Sequence, residues 1–245
     1  MADHIEQLKR EAAEYAVGYI KSGMTIGLGH GSTVSYTIPA IADKLQRQQI
    51  SDIKVVPCSH WIEQRCRSYN IPIITLEETL NVDMTIDGAD EVTENMNMIK
   101  GSGGALLREK IVAQVTRQEI IIVDERKITS MLGTRARIPI EIDSFGWRTQ
   151  IAYLATLGAK SELRCGESGK PFITDAGHWI LDCAFGKIPA PEGLALQLQR
   201  RAGILAHGLF LGLANEIIIA ESTGIRVLKQ SSGIPPEGAE SHGGD

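Results

Sequence analysis

Up to residue 124 the chain alternates short, almost wholly apolar runs with amphipathic stretches of helical period. That alternation points to one architecture, a parallel Rossmann-like sheet covered by helices on both faces. The runs at 24–28, 53–56, 71–75, 82–86 and 120–123 read as strands, since strands buried on both faces lose the usual apolar/polar alternation. Residues 34–45, 60–69 and 105–115 read as helices, with Pro39 in the first turns of its helix or kinking it. The chain opens on Asp3 and Glu6, spaced as a capping box. Ile5, Leu8, Ala12, Tyr15, Ala16 and Tyr19 then recur at helical spacing until Gly23 stops them. Ligands of such α/β folds bind beyond the carboxyl ends of the strands, so the loops there are the places to look for chemistry.

After Gly133 the texture changes. A strand at 138–142, a helix at 145–157, strands at 160–164 and 179–183, a helix at 191–201 and the segment 208–211 follow one another. That order suggests a smaller α+β (ferredoxin-like) domain with an antiparallel sheet. The apolar run 215–220 could return to the first domain. The expected division is residues 1–134 as a Rossmann-like catalytic domain completed by 212–229, and 135–211 as the smaller domain. Residues 230–245, rich in Gly, Pro, Ser and Glu with Ile234 as their only large apolar residue, read as a disordered tail.

A net charge of −5 argues against nucleic acid as the main partner, but not against a small phosphate. The longest apolar runs are too short to cross a bilayer, and no signal-peptide pattern follows Met1, so no membrane partner is expected. Cys58, Cys66, Cys165 and Cys183 form no CxxC pair and no zinc-finger spacing; free thiols in a cytoplasmic protein are expected.

Three loops carry candidate chemistry. Gly27-Leu28-Gly29-His30-Gly31-Ser32-Thr33 links a strand to a helix, an arrangement whose backbone N–H groups can hold phosphate. It has no lysine for a Walker loop, and Ser32 and Val34 stand where a dinucleotide fingerprint needs glycine. A glycine-rich turn that caps its helix through Ser32 or Thr33, with no ligand, fits as well. Asp87-Gly88-Ala89-Asp90-Glu91 places three carboxylates at a strand end, where they repel one another unless a cation, a proton or a ligand hydroxyl intervenes. A solvated acidic turn is the alternative, and no companion ligands suggest a metal. Lys100-Gly101-Ser102-Gly103-Gly104 then lets backbone approach a small ligand beside a lysine. Glu109 follows on a helix among Leu106, Leu107, Ile111 and Val112. Apolar surroundings there would raise its pKa and suit it to proton shuttling; an exposed residue between Arg108 and Lys110 is the alternative.

These segments together resemble the ribose-5-phosphate isomerase type A family. The resemblance rests on Gly29 to Thr33, on the run from Asp87, on the segment from Lys100 to Lys110, and on Asp124-Glu125-Arg126-Lys127. It continues through Leu132-Gly133, Pro139-Ile140-Glu141-Ile142, Thr174-Asp175 and Leu181-Asp182-Cys183. The family implies an isomerase of D-ribose 5-phosphate and D-ribulose 5-phosphate in the non-oxidative pentose phosphate pathway, acting through an enediolate without cofactor or metal. It implies a homodimer or homotetramer. It implies Glu109 as the base between C1 and C2, Lys100 as the group that stabilises the enediolate, and Asp87 and Asp90 on sugar hydroxyls. The phosphate would sit on Gly31, Ser32 and Thr33, helped by Lys127 and Lys9. His30, Gly88, Ala89, Gly101, Ser102 and Gly103 would complete the substrate contacts. Rival readings are a non-catalytic sugar-phosphate sensor and an acyl-CoA transferase of related fold.

The chain departs from the family at His30, where threonine is usual, at Ser102, where glycine is usual, and at Ala176-Gly177-His178, where Asn-Gly-Asn is usual. The stretch Cys58-Ser59-His60-Trp61 also fits poorly. An imidazole at position 30 can become cationic near pH ~6.5. Beside a phosphate it would lower KM at pH 6 relative to pH 8.

Overall fold

The helical spacing at the start of the chain becomes α1 (Ala2–Val17), with Leu8, Ala12, Ala13 and Ala16 buried. The computed structural model describes residues 2–230. Because α1 already begins at Ala2, Asp3 lies inside its first turn rather than ahead of it, and the expected capping box is not formed. The tail expected at 230–245 lies outside the described residues except for Gln230.

The chain continues through β1 (Thr25–Leu28), a 3-10 turn at Val34–Tyr36, α2 (Thr37–Gln46), β2 (Lys54–Pro57), α3 (His60–Ser68) and β3 (Val82–Gly88). Short strands β4 (Glu91–Thr93) and β5 (Met98–Ile99) precede α4 (Leu106–Gln114) and the long β6 (Thr116–Asp124). After a 3-10 turn at Glu125–Lys127 come β7 (Ile128–Thr129), β8 (Ile138–Ile142), α5 (Trp147–Thr156), β9 (Lys160–Leu163) and β10 (Trp179–Ala184). Then follow α6 (Pro191–Gln199), β11 (Ile204–His207), β12 (Leu209–Phe210), β13 (Glu216–Glu221) and β14 (Gly224–Lys229). Pro39 sits in the first turn of α2, where its missing N–H costs nothing.

The large sheet runs β14-β13-β6-β3-β1-β2, parallel except for the terminal β13–β14 hairpin. One face packs against α1, α2 and α3 through Ile26, Leu28, Ile38, Ile41, Ile62 and their neighbours. The other packs Ile121, Val123, Ile217 and Ile219 against Leu106 and Phe210. A second sheet, β11-β8-β10-β9, is antiparallel and covered by α5 and α6 through Leu154 and Leu198. The third, β12-β5-β4-β7, joins the two.

Two expected strands are placed differently. Residues 71–75 form no strand; Val55 and Ile73 make a lone parallel bridge beyond β2. Pro72 has no N–H to extend a ladder, and Glu78 accepts the Thr75 N–H instead. The segment 208–211 does not close the antiparallel sheet. Leu209 and Phe210 pair with Ile99 and Met98, and β11 closes that sheet against β8.

Candidate active site

In the large sheet β1 lies between β2 and β3. Strand order reverses there, and at such a switch point a crevice opens beyond the carboxyl ends of the strands. Gly29 follows β1 and donates its N–H to Ile86 O at 3.0 Å. A Cβ at Gly29 would stand 1.8 Å from Asp87 Oδ1, so glycine is what allows the Asp87 carboxylate to lie against this loop.

Lys100, only 2% exposed, reaches into the crevice. Its Nζ donates to Gly88 O at 2.6 Å and to Glu109 Oε1 at 3.3 Å, and forms an ion pair with Asp87 Oδ2 at 2.8 Å. Burial alone would lower this ammonium, but the Asp87 and Glu109 carboxylates outweigh it and hold Lys100 above its ordinary value. Burial, and after it the Glu109 charge, push the Asp87 carboxyl up against the pull of Lys100. Glu109 Oε1 also accepts the His30 N–H at 3.2 Å. Its surroundings are therefore polar and charged, not the apolar ones its helix neighbours suggested.

The three clustered carboxylates diverge. Asp90 accepts from Ser102 N–H at 3.0 Å and from Ser102 Oγ at 2.6 Å. Glu91 turns away to the N–H groups of Gly133 and Arg135, at 2.7 and 3.1 Å. Asp87, expected on sugar hydroxyls, is fully buried behind Lys100 and absent from the cavity wall. Strand pairing, which sequence spacing does not reveal, decides which carboxylate faces outward.

A cavity of about 350 Å³ opens over this cluster. Its lining joins Lys100, Glu109, Gly88, Ala89, Asp90, Gly101, Ser102, Gly103 and His30 with Gly31, Ser32, Thr33, Lys9 and Lys127. Arg126 and Val34 also line it. Sequence reading missed Arg126 although it adjoins Lys127, because nothing in the spacing shows the 3-10 turn at 125–127 facing the cavity. The cavity thus gathers three cations from two elements, Lys9 of α1 and Arg126 and Lys127 of the 3-10 turn, together with one buried ammonium set against carboxylates. Lys9 is held by Glu6 at 2.7 Å and Arg126 by Asp124 at 2.7 Å. Among the described residues no group of three or more His, Cys, Asp or Glu side chains is arranged to hold a metal ion.

His30 is less open than its loop suggested. Nδ1 lies 2.8 Å from Ser59 Oγ, the ring packs edge-on to Trp61, and a Cβ at Gly103 would come within 2.3 Å of Cδ2. Ser59 Oγ already accepts the Ile62 N–H, so its own proton can point at Nδ1. Burial pulls the imidazole below its ordinary pKa, opposed in part by the Glu109 and Asp175 carboxylates. His178, another departure, bonds Glu141 at 2.9 Å beside Thr174.

Comparison with known proteins points to a single family. The family ribose 5-phosphate isomerase A (phosphoriboisomerase A) matches residues 54–224. Ribose-5-phosphate isomerase A of Chloroflexus aurantiacus is 47% identical over 221 residues, covering 90% of this chain and 92% of that protein. A solved D-ribose-5-phosphate isomerase in complex with phospho-erythronic acid superposes with a TM-score of 0.90 at 37% identity, covering 92% of this chain and 99% of its own. Ribose 5-phosphate isomerase from Plasmodium falciparum gives a TM-score of 0.89 at 37% identity, with the same coverage.

Proposed function

The chain belongs to the ribose 5-phosphate isomerase A family, and from that premise we propose how its cavity interconverts D-ribose 5-phosphate and D-ribulose 5-phosphate. The observation that carries the reading is the contact between Glu109 and Lys100 in a cavity that Lys9, Arg126 and Lys127 also line. In the open-chain aldose, Glu109 takes the proton from C2 as negative charge develops on O1. Lys100 stabilises that oxyanion, and Glu109 returns the proton to C1 while the O2 proton passes to O1, leaving a ketone at C2. One shuttle base, one electrophile and one anchor satisfy aldose–ketose exchange. No step needs a redox cofactor, because the substrate's own carbons exchange oxidation state.

Lys9, Lys127 and Arg126, with the backbone of Gly31, Ser32 and Thr33, form the phosphate anchor. Asp90 and the backbone from Gly101 to Gly103 face the sugar hydroxyls. Asp87 acts through Lys100, holding its ammonium in place. The phosphorylated sugar acid in the similar isomerase supports the substrate class, since its phosphate and planar, anionic carboxylate resemble in shape and charge the phosphate and planar enediolate of the intermediate. The proposal extends to a cytoplasmic homo-oligomer, supported by the family and by the exposed free thiol of Cys165.

Direct measurement of ribulose 5-phosphate formed from ribose 5-phosphate tests the activity, and Glu109→Gln tests the base. That variant keeps shape and loses basicity, so kcat should fall at least ~10²-fold with KM nearly unchanged. Retention of more than about a tenth of wild-type kcat would remove Glu109 from the role.

A further inference from the structure

Glu119 lies on β6 opposite Thr85 of β3, two residues before Asp87 on that strand. It is 1% exposed. Its main chain is clamped by Asn215, whose side chain accepts the Glu119 N–H at 2.6 Å and whose N–H donates to Glu119 O at 2.9 Å. Both carboxyl oxygens are buried, and neither has a hydrogen-bond partner among the described residues. The charged groups that act on it are Asp87 from β3, Lys100 from the loop after β5, and Glu109 from α4, and its own charge acts in turn on the Cys58 thiol beyond β2.

One ammonium therefore serves three buried carboxyls. Lys100 directs its donors to Gly88 O, Asp87 and Glu109, and none reaches Glu119. Three ionised carboxylates around one cation would leave excess negative charge in a dry site, and a buried charge without a partner takes up a proton instead. Burial, and then the Asp87 charge, drive Glu119 well above the ordinary carboxylate range, with Lys100 opposing. Asp87 is pushed in the same direction but touches the ammonium. The proton accordingly resides on the carboxyl with no contact to it.

We propose that Glu119 is a positioning residue that keeps its proton in the working enzyme and so leaves the one cation, Lys100, to the ionised Asp87 and Glu109. This rests on the assignment of Glu109 and Lys100 as base and electrophile. If Glu119 ionised, its charge would oppose the enediolate's own and compete for Lys100.

Two measurements test the idea, using Glu119→Gln and, should that variant fold poorly, the neutral Glu119→Met. The first is kcat against pH. Gln matches the protonated carboxyl, so kcat at pH 7 should stay within about threefold of wild type while the alkaline fall moves to higher pH. The second is unfolding by urea across pH. A carboxyl that keeps its proton on folding binds more protons than the unfolded chain, so stability declines as pH rises above ~4.3. Glu119→Gln should then gain on wild type progressively between pH 5 and pH 8. Superimposable kcat profiles overturn the proposal even if the stability gap widens, and so do parallel stability curves. A loss beyond tenfold at pH 7 overturns it as well, because an ionised carboxylate would then be required. The unfolding arm does not depend on which residue is the base, so a wrong assignment of Glu109 would appear in the kinetics of Glu109→Gln and leave this arm intact.

Discussion

His30 donates its backbone N–H to the proposed base while its ring is turned toward α3 and held by Ser59 and Trp61. The ring is thus occupied, and burial pulls its pKa below the ordinary imidazole value. Both the contacts and the shift work against the cation expected beside the phosphate. KM plotted against pH should run parallel for wild type and His30→Thr, with the phosphate's own titration near pH ~6 common to both. The variant's cost should appear in thermal unfolding, through the lost contacts to Ser59 and Trp61. A KM that rises with pH in wild type alone would restore the phosphate contact. Much of the site at this scale was legible in the sequence, because glycines clustered beside Lys100 and carboxylates crowded at a strand end have few other uses. The direction of each side chain was not. Asp87 and Asp90 look alike in sequence, yet one faces the interior and the other Ser102, according to the pleat of a strand that ends between them.

Among the elements, α4 does most to define the site, since it carries Glu109 and is tied down by the next residue. Lys110 donates to His207 O at 2.6 Å and Leu209 O at 3.0 Å, with Nζ 4.6 Å from the Phe210 ring centre. Burial pushes this amine down to about 7, and the two N–H groups of a neutral amine suffice for two carbonyls. In the unfolded chain the same lysine titrates near ~10.4. Between those values the unfolded chain binds the extra proton, so folding stability climbs as pH rises from 7 towards 10. Lys110→Met should cost about 1–3 kcal/mol through the two stranded carbonyls, and more at pH 9 than at pH 7; a cost independent of pH would mean that the buried amine stays charged. Element by element, the sequence was most legible where apolar runs were long and buried on both faces, as in β6 and β13. It was least legible where pairing rested on two residues, as in β5 and β12, or where a polar hairpin strand such as β14 lacked a buried face.

Over the whole molecule, the large sheet is assembled from distant parts of the chain. Four of its parallel strands come before residue 125, and the fifth, β13, returns only after the antiparallel sheet has been built. Ile217, Ile218 and Ile219 then lie fully buried along the edge of β6. A chain ending at residue 211 should be recovered in aggregates under conditions where the full chain is soluble, because β6 would present a long apolar edge. A soluble truncated chain that unfolds cooperatively near the full chain's midpoint would show that β13 is dispensable. The same arrangement bears on biosynthesis. As the polypeptide leaves the ribosome, Ile120, Ile121 and Ile122 emerge long before the strand that will cover them. The nascent chain must therefore carry an adhesive edge through the translation of the entire antiparallel sheet, an interval in which a holding chaperone, or the speed of elongation, governs how much enzyme is made.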